Sequence, residues 1–478
     1  MNNIENLRDS ALKTALKGRG VAVMGLGKSG VSAAKALLRH GAKVFISESE
    51  KEKKDLSGMK AQIEKISAAH SGDVRFEFGG HTQKILQCDL IVVSPGIHLD
   101  LPLFAKARKK GIPVWNELEL GYRLAKFKKI AAITGTNGKT TAVSLLGDMC
   151  RRSGARTLVA GNIGNPLCDF SETFAKYDIA VLEVSSYQME GISSFRPDVS
   201  AVLNLTSDHL ARHKTMKNYS KAKERIFINQ SGEDFTALNA SDPWTVRMGK
   251  NAVSNILWFS AFKRLKTGVF FDSGKGVLAA RVKNLRYKKL NLPSPRYLPG
   301  MHNIENACCA AACALALGIK PAAIKESLLA FKGVEHRIEK VRTLRGVTYV
   351  NDSKGTNVDS TLKAIQSFEK PLWLILGGQD KGGSYKPIKD AIRDPGKKQR
   401  IVKGIFLIGE ASRIIYSALQ GSCDMFFCGK LESAVKEASR KAADGDVVLL
   451  SPACASFDQF LNFEDRGLQF KRFVRVLK

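Results

Sequence analysis

Residues 130–141 read I-A-A-I-T-G-T-N-G-K-T-T and offer the clearest chemistry in the sequence. The apolar run 130–133 predicts a strand, the glycines predict a tight turn, and residues 140–152 predict a helix. This order makes a phosphate site, because N–H groups of the loop and of the helix start point at the anion. Lysine in the turn would neutralise phosphate, and a threonine hydroxyl can reach a magnesium ion. The residues expected to bind a nucleoside triphosphate are Gly135, Thr136, Asn137, Gly138, Lys139, Thr140 and Thr141.

The glycine spacing in this loop departs from the usual G-x-x-x-x-G-K-[ST] pattern. The first glycine, Gly135, precedes the second, Gly138, by three residues instead of five. A purely structural G-K-T turn is therefore the alternative reading at this point. The strand and helix that flank the turn favour binding of a nucleoside triphosphate.

A second glycine-rich turn lies near the start of the chain. A short apolar run at 21–24 precedes a G-x-G-x-x-G motif, and helix and strand patterns follow up to Glu48, which lies 18 positions beyond the last glycine. In a βαβ setting this motif predicts a bound nucleotide diphosphate, with the acidic residue near the ribose or base. The alternative is that the glycines only permit close packing of helix on strand. The expected contacts are Gly25, Leu26, Gly27, Lys28 and Ser29, with Ser94, Pro95 and Gly96 after a third strand.

Several apolar runs of the central part end in polar residues. They cover residues 157–160, 179–182 and 200–205, and they predict parallel strands that end at one sheet edge. The polar residues expected there are Asn162, Glu183, Asp208 and His209. Glu183 is the candidate magnesium ligand, because the ion prefers hard oxygen donors. Short strand-like pieces at 252–259, 268–271 and 276–282 are expected to complete an edge of this sheet.

Two helices of the central part leave alternatives open. The helix predicted at 218–227 carries several lysines, and spacing alone selects none of them. Asn303 and Asn306 lie one turn apart at the start of an alanine-rich helix. They are suited equally to recognising an adenine and to capping the helix.

The last third repeats the alternation of strand and helix patterns. Runs at 347–350, 371–376, 404–408 and 446–450 predict strands, and lysines, hydroxyls and carboxylates follow three of them. Such loops on one sheet edge suit a small dicarboxylate or amino acid, and Arg337 or Lys354 is placed to reach phosphate. A purely structural role for the loops is the alternative.

Length and composition set limits on the class of protein. The 478 residues suggest three domains, which we place at 1–128, 129–335 and 336–478. No signal peptide or apolar run of roughly 20 residues is visible, and the nine cysteines contain no C-x-x-C pair. These features favour a cytoplasmic protein without membrane insertion. The net charge of +30 is spread over all three parts, whereas nucleic-acid binders concentrate their charge, so we expect no nucleic-acid partner.

The ordered motifs of the chain resemble those of the Mur ligases. They are G-T-N-G-K-T (135–140), L-E-V-S-S-Y-Q (182–188), S-D-H (207–209), H-N-I-E-N-A (302–307), E-H-R (335–337), N-D-S-K-G-T-N (351–357), L-G-G-Q-D-K (376–381) and L-S-P-A-C-A-S-F-D-Q-F (450–460). The resemblance implies an α/β protein with three domains: an N-terminal Rossmann-like domain, a central P-loop ATPase-like domain with a mostly parallel sheet, and a C-terminal Rossmann-like domain. The motifs at 351–357 and 451–460 match the members that add D-glutamate, and the D-N-P-R-type motif of the sister enzyme for diaminopimelate is missing.

The resemblance also implies the reaction and its participants. ATP would phosphorylate the carboxylate of UDP-N-acetylmuramoyl-L-alanine, and D-glutamate would attack the acyl phosphate, in the synthesis of peptidoglycan precursors. The implied catalytic residues are Lys139, Glu183, His209 and Lys223. Thr140, Glu183, His209 and Lys223 would hold two magnesium ions, with Lys223 carbamylated by CO2. A monomer is expected.

The remaining site residues are likewise implied by the resemblance. On the UDP-sugar side they are Asn162 and Ser185. On the nucleotide side they are Asn303, Asn306, Arg337, Asp352 and Lys354. The D-glutamate pocket would be formed by Thr356, Lys381, Ser456 and Phe463.

One residue departs from the family pattern, and three competing readings remain. The second strand often ends in Asp in this family, but here Ser47 and Glu48 stand there, which leaves the uridine contact open. A nucleic-acid-dependent ATPase, a nicotinamide oxidoreductase and a ligase of the folylpolyglutamate synthetase type are the alternatives. The last is disfavoured because the first glycine-rich domain is present.

Overall fold

The computed structural model describes residues 4–51, 56–70, 72–162, 164–282, 285, 289–393 and 402–478. The chain divides into two compact units. The first comprises Met1–Ser294 and Glu305–Leu328, and the second comprises Pro295–Ile304 and Leu329–Lys478. No helix in these described ranges is long and apolar enough to cross a membrane.

The first unit begins with a five-stranded parallel sheet. Its strands are β1 (Gly20–Met24), β2 (Lys43–Glu48), β3 (Val74–Phe78), β4 (Leu90–Val93) and β5 (Val114–Asn116), in the order β3-β2-β1-β4-β5. Its helices are α1 (Asp9–Leu16), α2 (Lys28–Arg39), α3 (Leu56–Ala69), α4 (Pro102–Lys109) and α5 (Glu117–Leu124). The strand order reverses between β1 and β4, so the loops after these two strands border the crevice where such sheets bind ligands.

The first unit also contains a nine-stranded sheet. Its strands are β6 (Lys129–Thr134), β7 (Thr157–Gly161), β8 (Ile179–Glu183), β9 (Val199–Val202), β10 (Phe235–Asn239), β11 (Asn255–Ser260), β12 (Gly268–Asp272), β13 (Val277–Arg281) and β14 (Lys289–Pro293), in the order β14-β13-β12-β11-β10-β9-β6-β8-β7. The strands β12, β13 and β14 pair in antiparallel fashion, and all other pairs are parallel. The prediction that the pieces from 252 to 282 extend one edge of this sheet is confirmed.

The helices that follow these strands along the chain differ in length. They are α6 (Lys139–Arg152), α7 (Ser186–Glu190), α8 (Leu210–His213), α9 (Met216–Glu224), α10 (Pro243–Met248), α11 (Met301–Ala316) and α12 (Pro321–Ala330). The helix α6 covers the sheet with a buried face that includes Val143, Leu146 and Met149. Its fixed position on the sheet sets the geometry of the glycine loop at its start.

The second unit contains a six-stranded sheet. Its strands are β15 (Glu339–Leu344), β16 (Val347–Asn351), β17 (Leu372–Gly377), β18 (Val402–Ile408), β19 (Asp424–Gly429) and β20 (Val447–Leu450), in the order β15-β16-β20-β17-β18-β19. Only the edge strand β15 is antiparallel to its neighbour among these pairs. The helices are α13 (Val358–Gln366), α14 (Lys386–Arg393), α15 (Ser412–Leu419), α16 (Leu431–Lys441) and α17 (Phe463–Arg475).

The predicted fold class is confirmed, since three mainly parallel α/β sheets follow one another along the chain. The predicted domain boundaries at 128/129 and 335/336 stay predictions. The sequence patterns missed β3, β5, β14, β15 and β19, all at sheet edges, and the internal strand β10. Edge strands are partly exposed and mix polar with apolar residues, so their hydrophobic signal is weak.

The two sheets of the first unit are joined through a buried carboxylate. Glu119 on α5 has no exposed surface and accepts hydrogen bonds from Arg123 Nε (2.6 Å) and from the backbone N–H groups of Ser193 (3.0 Å), Ser194 (2.9 Å) and Phe195 (3.0 Å). The Ser194 hydroxyl adds a fifth bond at 2.7 Å. Arg123 in turn lies 4.4 Å from the centre of the Trp115 ring. This carboxylate therefore fixes the segment after α7 to the first sheet.

Replacing Glu119 by alanine should destabilise the first unit strongly. The change leaves a buried guanidinium, the buried N–H group of Phe195 and two partly buried N–H groups without their acceptor. Loss of one partner from a buried ion pair costs about 3–5 kcal/mol. Unfolding in urea, followed by tryptophan fluorescence, measures the loss. Glu233→Ala removes an exposed carboxylate of the same unit and should change the free energy of unfolding by less than about 0.5 kcal/mol. Equal stabilities of the two variants would contradict the role given to Glu119.

Candidate active site

The glycine loop between β6 and α6 has the shape of an anion cradle. Gly138 adopts φ +84° and precedes the first turn of α6, a conformation that side chains of L-residues rarely adopt. Asn204 holds the loop, because its carbonyl accepts from Thr136 N–H (2.9 Å) and its side-chain oxygen accepts from Asn137 N–H (2.9 Å). A Cβ on Gly138 would lie 2.1 Å from Oδ1 of Asn306. The structure thus brings Asn306 against the predicted phosphate loop.

Lys139 folds back over this loop. Its Nζ donates hydrogen bonds to the carbonyl oxygens of Gly135 (2.9 Å) and Thr136 (2.8 Å). The ammonium group is therefore held at the mouth of the cradle, where a phosphate would exchange these carbonyls for stronger charge-assisted bonds. Thr141 Oγ1 is buried and has no hydrogen-bond partner among the described residues.

Three strand ends meet at Glu183, which is 2% exposed. Its Oε2 accepts from the Thr140 hydroxyl at 2.8 Å, and its Oε1 accepts from Asn162 Nδ2 at 3.1 Å. These groups come from the start of α6, the end of β8 and the loop after β7, which the strand order places side by side. A carboxylate next to a hydroxyl is an oxygen donor set that fits Mg²⁺. Thr140 and Glu183 are thus close enough to share an ion.

Lys223 on α9 is 1% exposed and lies directly beneath the same loop. Its Nζ donates to the carbonyl of Gly135 (2.8 Å) and to the Thr134 hydroxyl (3.2 Å). Burial holds the pKa of this amine well below its ordinary value, and the nearby charge of Lys139 lowers it further, against the opposite influence of Asp208 and Glu183. An amine in this environment is more readily neutral than an exposed lysine.

The predicted residues His209 and Ser185 lie on neighbouring short segments. His209 has a left-handed backbone (φ +55°), and its Nδ1 lies 3.0 Å from the Tyr187 hydroxyl. Its Nε2 is 3.6 Å from a carboxylate oxygen of Asp208. Ser185 caps α7, where its backbone N–H and its hydroxyl both donate to Gln188 Oε1 (3.0 Å each). Both residues therefore have structural contacts that orient them.

The acidic residue that was predicted to accompany the glycine-rich turn after β1 contacts the turn itself. Glu48 is 3% exposed, and its Oε2 accepts from the Leu26 N–H at 2.7 Å, so this oxygen supports the turn itself. Ser94 also supports the turn, because its hydroxyl donates to the Gly25 carbonyl at 2.8 Å. The loops after β1 and β4 are thus tied together where the nucleotide diphosphate was predicted. Whether Glu48 contacts a ribose or base stays a prediction.

Sequence reasoning missed Arg212, which lies on α8 three residues after His209. Its guanidinium donates to the carbonyls of Gly96 (3.2 Å) and Ile97 (2.9 Å) and pairs with Glu190 at 2.7 Å. It therefore connects the loop after β4 with the segment that carries His209. No sequence signal identifies it, since an arginine in a polar helix is usually a solvated residue.

The remaining predicted residues lie in the second unit. Asp352, at the end of β16, is 2% exposed, and burial raises its pKa to about 6 against the opposing charge of Arg337. The Lys354 ammonium lies 5.2 Å from the centre of the Phe463 ring, and Lys381 Nζ lies 3.3 Å from the Thr356 hydroxyl. Asn303 donates to the Pro299 carbonyl at 2.7 Å.

Arg466 is a second residue that the sequence did not reveal, and it organises these loops. It is fully buried on α17 and bonds the Ser353 carbonyl (2.8 Å) and hydroxyl (3.0 Å), together with the carbonyls of Cys454 and Ala455. It thereby fixes the loop after β16 to the loop after β20, which leads into Ser456. The first loop carries Lys354 and Thr356, so two predicted ligand-binding segments depend on one guanidinium.

Comparison with known proteins agrees with this architecture. Residues 19–116 match the MurD-like N-terminal domain of Mur ligases, residues 133–314 match the Mur ligase middle domain, and residues 336–454 match the Mur ligase glutamate ligase domain. The chain belongs to the Mur ligase family.

Its relatives include two proteins named UDP-N-acetylmuramoylalanine--D-glutamate ligase. The protein of Koribacter versatilis is 42% identical over 97% of this chain and 98% of its own length. The protein of Clostridioides difficile is 40% identical over 97% of this chain and 100% of its own length.

Two solved structures have a similar fold. MurF from Acinetobacter baumannii aligns with a TM-score of 0.58 at 16% identity, covering 99% of this chain and 93% of that one. A pseudomurein peptide ligase type C from Methanothermus fervidus aligns with a TM-score of 0.56 at 19% identity, covering 96% and 100%. At these identities the likeness shows the fold alone.

Gly161→Ala should weaken binding of Mg²⁺·ATP at least tenfold. Gly161 ends β7 with φ +107°, and a Cβ there would lie 2.3 Å from the backbone oxygen of Glu183, so the strand that carries this carboxylate must move. Calorimetric titration with a non-hydrolysable ATP analogue and Mg²⁺ measures the affinity.

Gly154→Ala is the matched control for this change. Gly154 has a similar φ of +87°, but a Cβ there meets nothing within 4 Å. This variant carries the backbone strain of about 1–2 kcal/mol without the collision, and it should bind the analogue normally. Equal affinities of both variants would show that the position of Glu183 does not matter for the nucleotide.

Proposed function

We propose that this chain is an ATP-dependent amide ligase that adds D-glutamate to UDP-N-acetylmuramoyl-L-alanine. The observation that carries the proposal is the identity of 40–42%, over 97% of the chain, to relatives of that one name. The buried arrangement of Thr140, Glu183 and Lys223 around the glycine loop supports an ATP-dependent reaction. Another amino-acid ligase of the same superfamily is the alternative.

The ATP side of the reaction belongs to the loop after β6. The loop N–H groups and Lys139 hold the phosphates, and Lys139 balances the charge that develops as the γ-phosphoryl group moves to the substrate carboxylate. Mg²⁺, when bound, would neutralise further charge on the phosphate oxygens. The Thr140 hydroxyl and the Glu183 carboxylate would be its protein ligands. Asn306 is a further nucleotide contact of the first unit in this proposal. For the second unit, we propose the nucleotide contacts that the family resemblance implies, which are Asn303, Arg337, Asp352 and Lys354.

The acceptor side of the reaction joins two substrates. The carboxylate of UDP-N-acetylmuramoyl-L-alanine attacks the γ-phosphorus, and ADP leaves, which yields an acyl phosphate. The amine of D-glutamate then attacks the acyl carbon, loses a proton, and expels inorganic phosphate to form the amide. Positioning supplies most of the rate, because a reaction between bound groups avoids the entropic cost of their encounter.

The substrate contacts in this proposal follow the loops at the sheet edges. The loops after β1 and β4 hold the UDP group, and Asn162, Ser185 and His209 lie toward the reacting carboxylate. The D-glutamate pocket is formed by Thr356, Lys381, Ser456 and Phe463.

Lys223 carries a carbamate in this proposal. The neutral amine adds to CO2 and loses a proton, which gives this side chain one negative charge. The carbamate would then help to hold a second Mg²⁺, together with His209. Support comes from the burial of Nζ beneath the phosphate loop and from its lowered pKa, since only an uncharged amine reacts with CO2.

We also propose that the chain is a monomeric cytoplasmic enzyme of peptidoglycan precursor synthesis. Its proposed domains are 1–128, 129–335 and 336–478.

A substrate series tests the main proposal. ADP release is measured with UDP-N-acetylmuramoyl-L-alanine while D-glutamate, L-glutamate, L-lysine and diaminopimelate are offered in turn. We expect release with D-glutamate, at least a hundredfold faster than with the other three. Release that depends on another amino acid would replace the assigned activity by that of a sister ligase. Release that depends on a folate in place of the UDP-sugar would identify the folylpolyglutamate type.

Lys223→Ala tests the carbamate. The variant should retain less than about 1% of the wild-type kcat, because the anion near the second Mg²⁺ is missing, and a short-chain carboxylic acid should restore part of the activity by supplying it. Lys221→Ala removes an exposed lysine from the same helix and should stay near wild type. Full activity of Lys223→Ala, or failure of the acid to raise it, would argue against the carbamate.

A further inference from the structure

The loop 381–384 in the second unit is exposed, yet both of its ends are anchored. Asp380 precedes the loop and Tyr385 follows it, and the Tyr385 hydroxyl donates to Asp380 Oδ1 at 2.7 Å. Asp380 Oδ2 accepts from the Gly382 N–H at 3.1 Å. The Asp380–Tyr385 pair, which we term the clasp, therefore closes a four-residue loop that begins with Lys381.

The clasp is also attached to the loop after β20. The Tyr385 oxygen lies 3.1 Å from Cys454 Sγ, and Tyr385 is only 3% exposed. The tyrosine hydroxyl has one proton and uses it in the hydrogen bond to the carboxylate. The thiol is therefore the hydrogen-bond donor to the tyrosine oxygen. Residues Gln379 and Ala455 exchange two backbone hydrogen bonds of 3.0 Å beside this contact. These contacts therefore fix the position of the loop that carries Lys381 relative to the loop that leads to Ser456.

The chemistry of the clasp explains why a tyrosine is useful here. A phenylalanine ring would fill the same buried space without a polar atom, whereas a buried hydroxyl is retained at a cost unless it is bonded. In this structure the hydroxyl donates to one oxygen of the Asp380 carboxylate, and the Gly382 N–H donates to the other. Both oxygens of this carboxylate are thus engaged by the loop and its closing tyrosine, and the Nζ of the neighbouring Lys381 lies 3.3 Å from the Thr356 hydroxyl on a third loop.

We propose that Tyr385 is a positioning residue, which through Asp380 holds Lys381 ready for a carboxylate of the incoming amino acid. This inference rests on the proposed function, because Lys381 and Thr356 belong to its D-glutamate pocket. The clasp acts on binding of the amino acid and leaves the phosphoryl transfer at the other subsites unchanged. It orders an exposed lysine before the ligand arrives, which removes part of the entropy cost of binding.

Tyr385→Phe tests the inference, since it removes only the hydroxyl. We expect the KM for D-glutamate to rise about tenfold, while kcat and the KM for ATP and for the UDP-sugar stay within about twofold of wild type. Tyr416→Phe is the control, because Tyr416 is a partly exposed tyrosine of the same unit whose ring contacts Phe427. It should leave all four constants unchanged. An unchanged KM for D-glutamate in Tyr385→Phe, or an equal loss for all substrates, would overturn the positioning role.

A double-mutant cycle separates the clasp from general damage to the fold. Asp380→Ala should raise the KM for D-glutamate by a similar factor, and the double variant with Tyr385→Phe should be no worse than the poorer single variant. Effects that multiply in the double variant would show that the two residues act independently, and the clasp would be rejected. The wild-type series with four amino acids comes first. Failure there removes the proposed function, whereas normal D-glutamate use with an unaffected Tyr385→Phe removes only the clasp.

Discussion

The carboxylate of Glu183 is the interaction on which the candidate site depends. It is buried at the end of β8, and it bonds both the first turn of α6 through Thr140 and the loop after β7 through Asn162. An ionised carboxylate is costly to bury, and the hydrogen bonds that it accepts from these two donors offset part of that cost. In return, the carboxylate fixes the relative positions of three loops at one edge of the sheet.

The other loops of the two units follow the same physical pattern. Glu119 fixes the segment after α7 to the first sheet, and Arg466 fixes the loops after β16 and β20 to each other. In each case one buried charged side chain forms several hydrogen bonds with the backbone of loops. Glu119 accepts from N–H groups, and Arg466 donates to carbonyl oxygens. Loops of this kind are usually the mobile parts of an α/β protein, so such charges make them rigid enough to hold reacting groups.

The sequence was sufficient to predict most central strands of the sheets and the phosphate loop. The apolar runs of buried parallel strands and the G-x-x-G-K-T turn are strong local signals. The sequence also placed Glu183 and Asn162 at one edge correctly, since both follow such strands. The edge strands β3, β14, β15 and β19 were not predicted, because half-exposed strands lack a clear hydrophobic pattern. The roles of Arg212, Arg466 and Tyr385 were not predicted for another reason. Their roles come from contacts with loops distant in sequence, and nothing in their immediate neighbours distinguishes them from solvated or ordinary core residues.

The carbonyl oxygen of Gly135 accepts from two lysines at once, Lys139 at 2.9 Å and Lys223 at 2.8 Å. Two ammonium charges that share one acceptor repel each other, so this arrangement favours an uncharged amine at the more deeply buried Lys223. A bound triphosphate would bring negative charge and attract Lys139, which opposes that preference. Occupancy of the loop and protonation of Lys223 are therefore thermodynamically linked, and by reciprocity nucleotide affinity must depend on the charge that Lys223 carries.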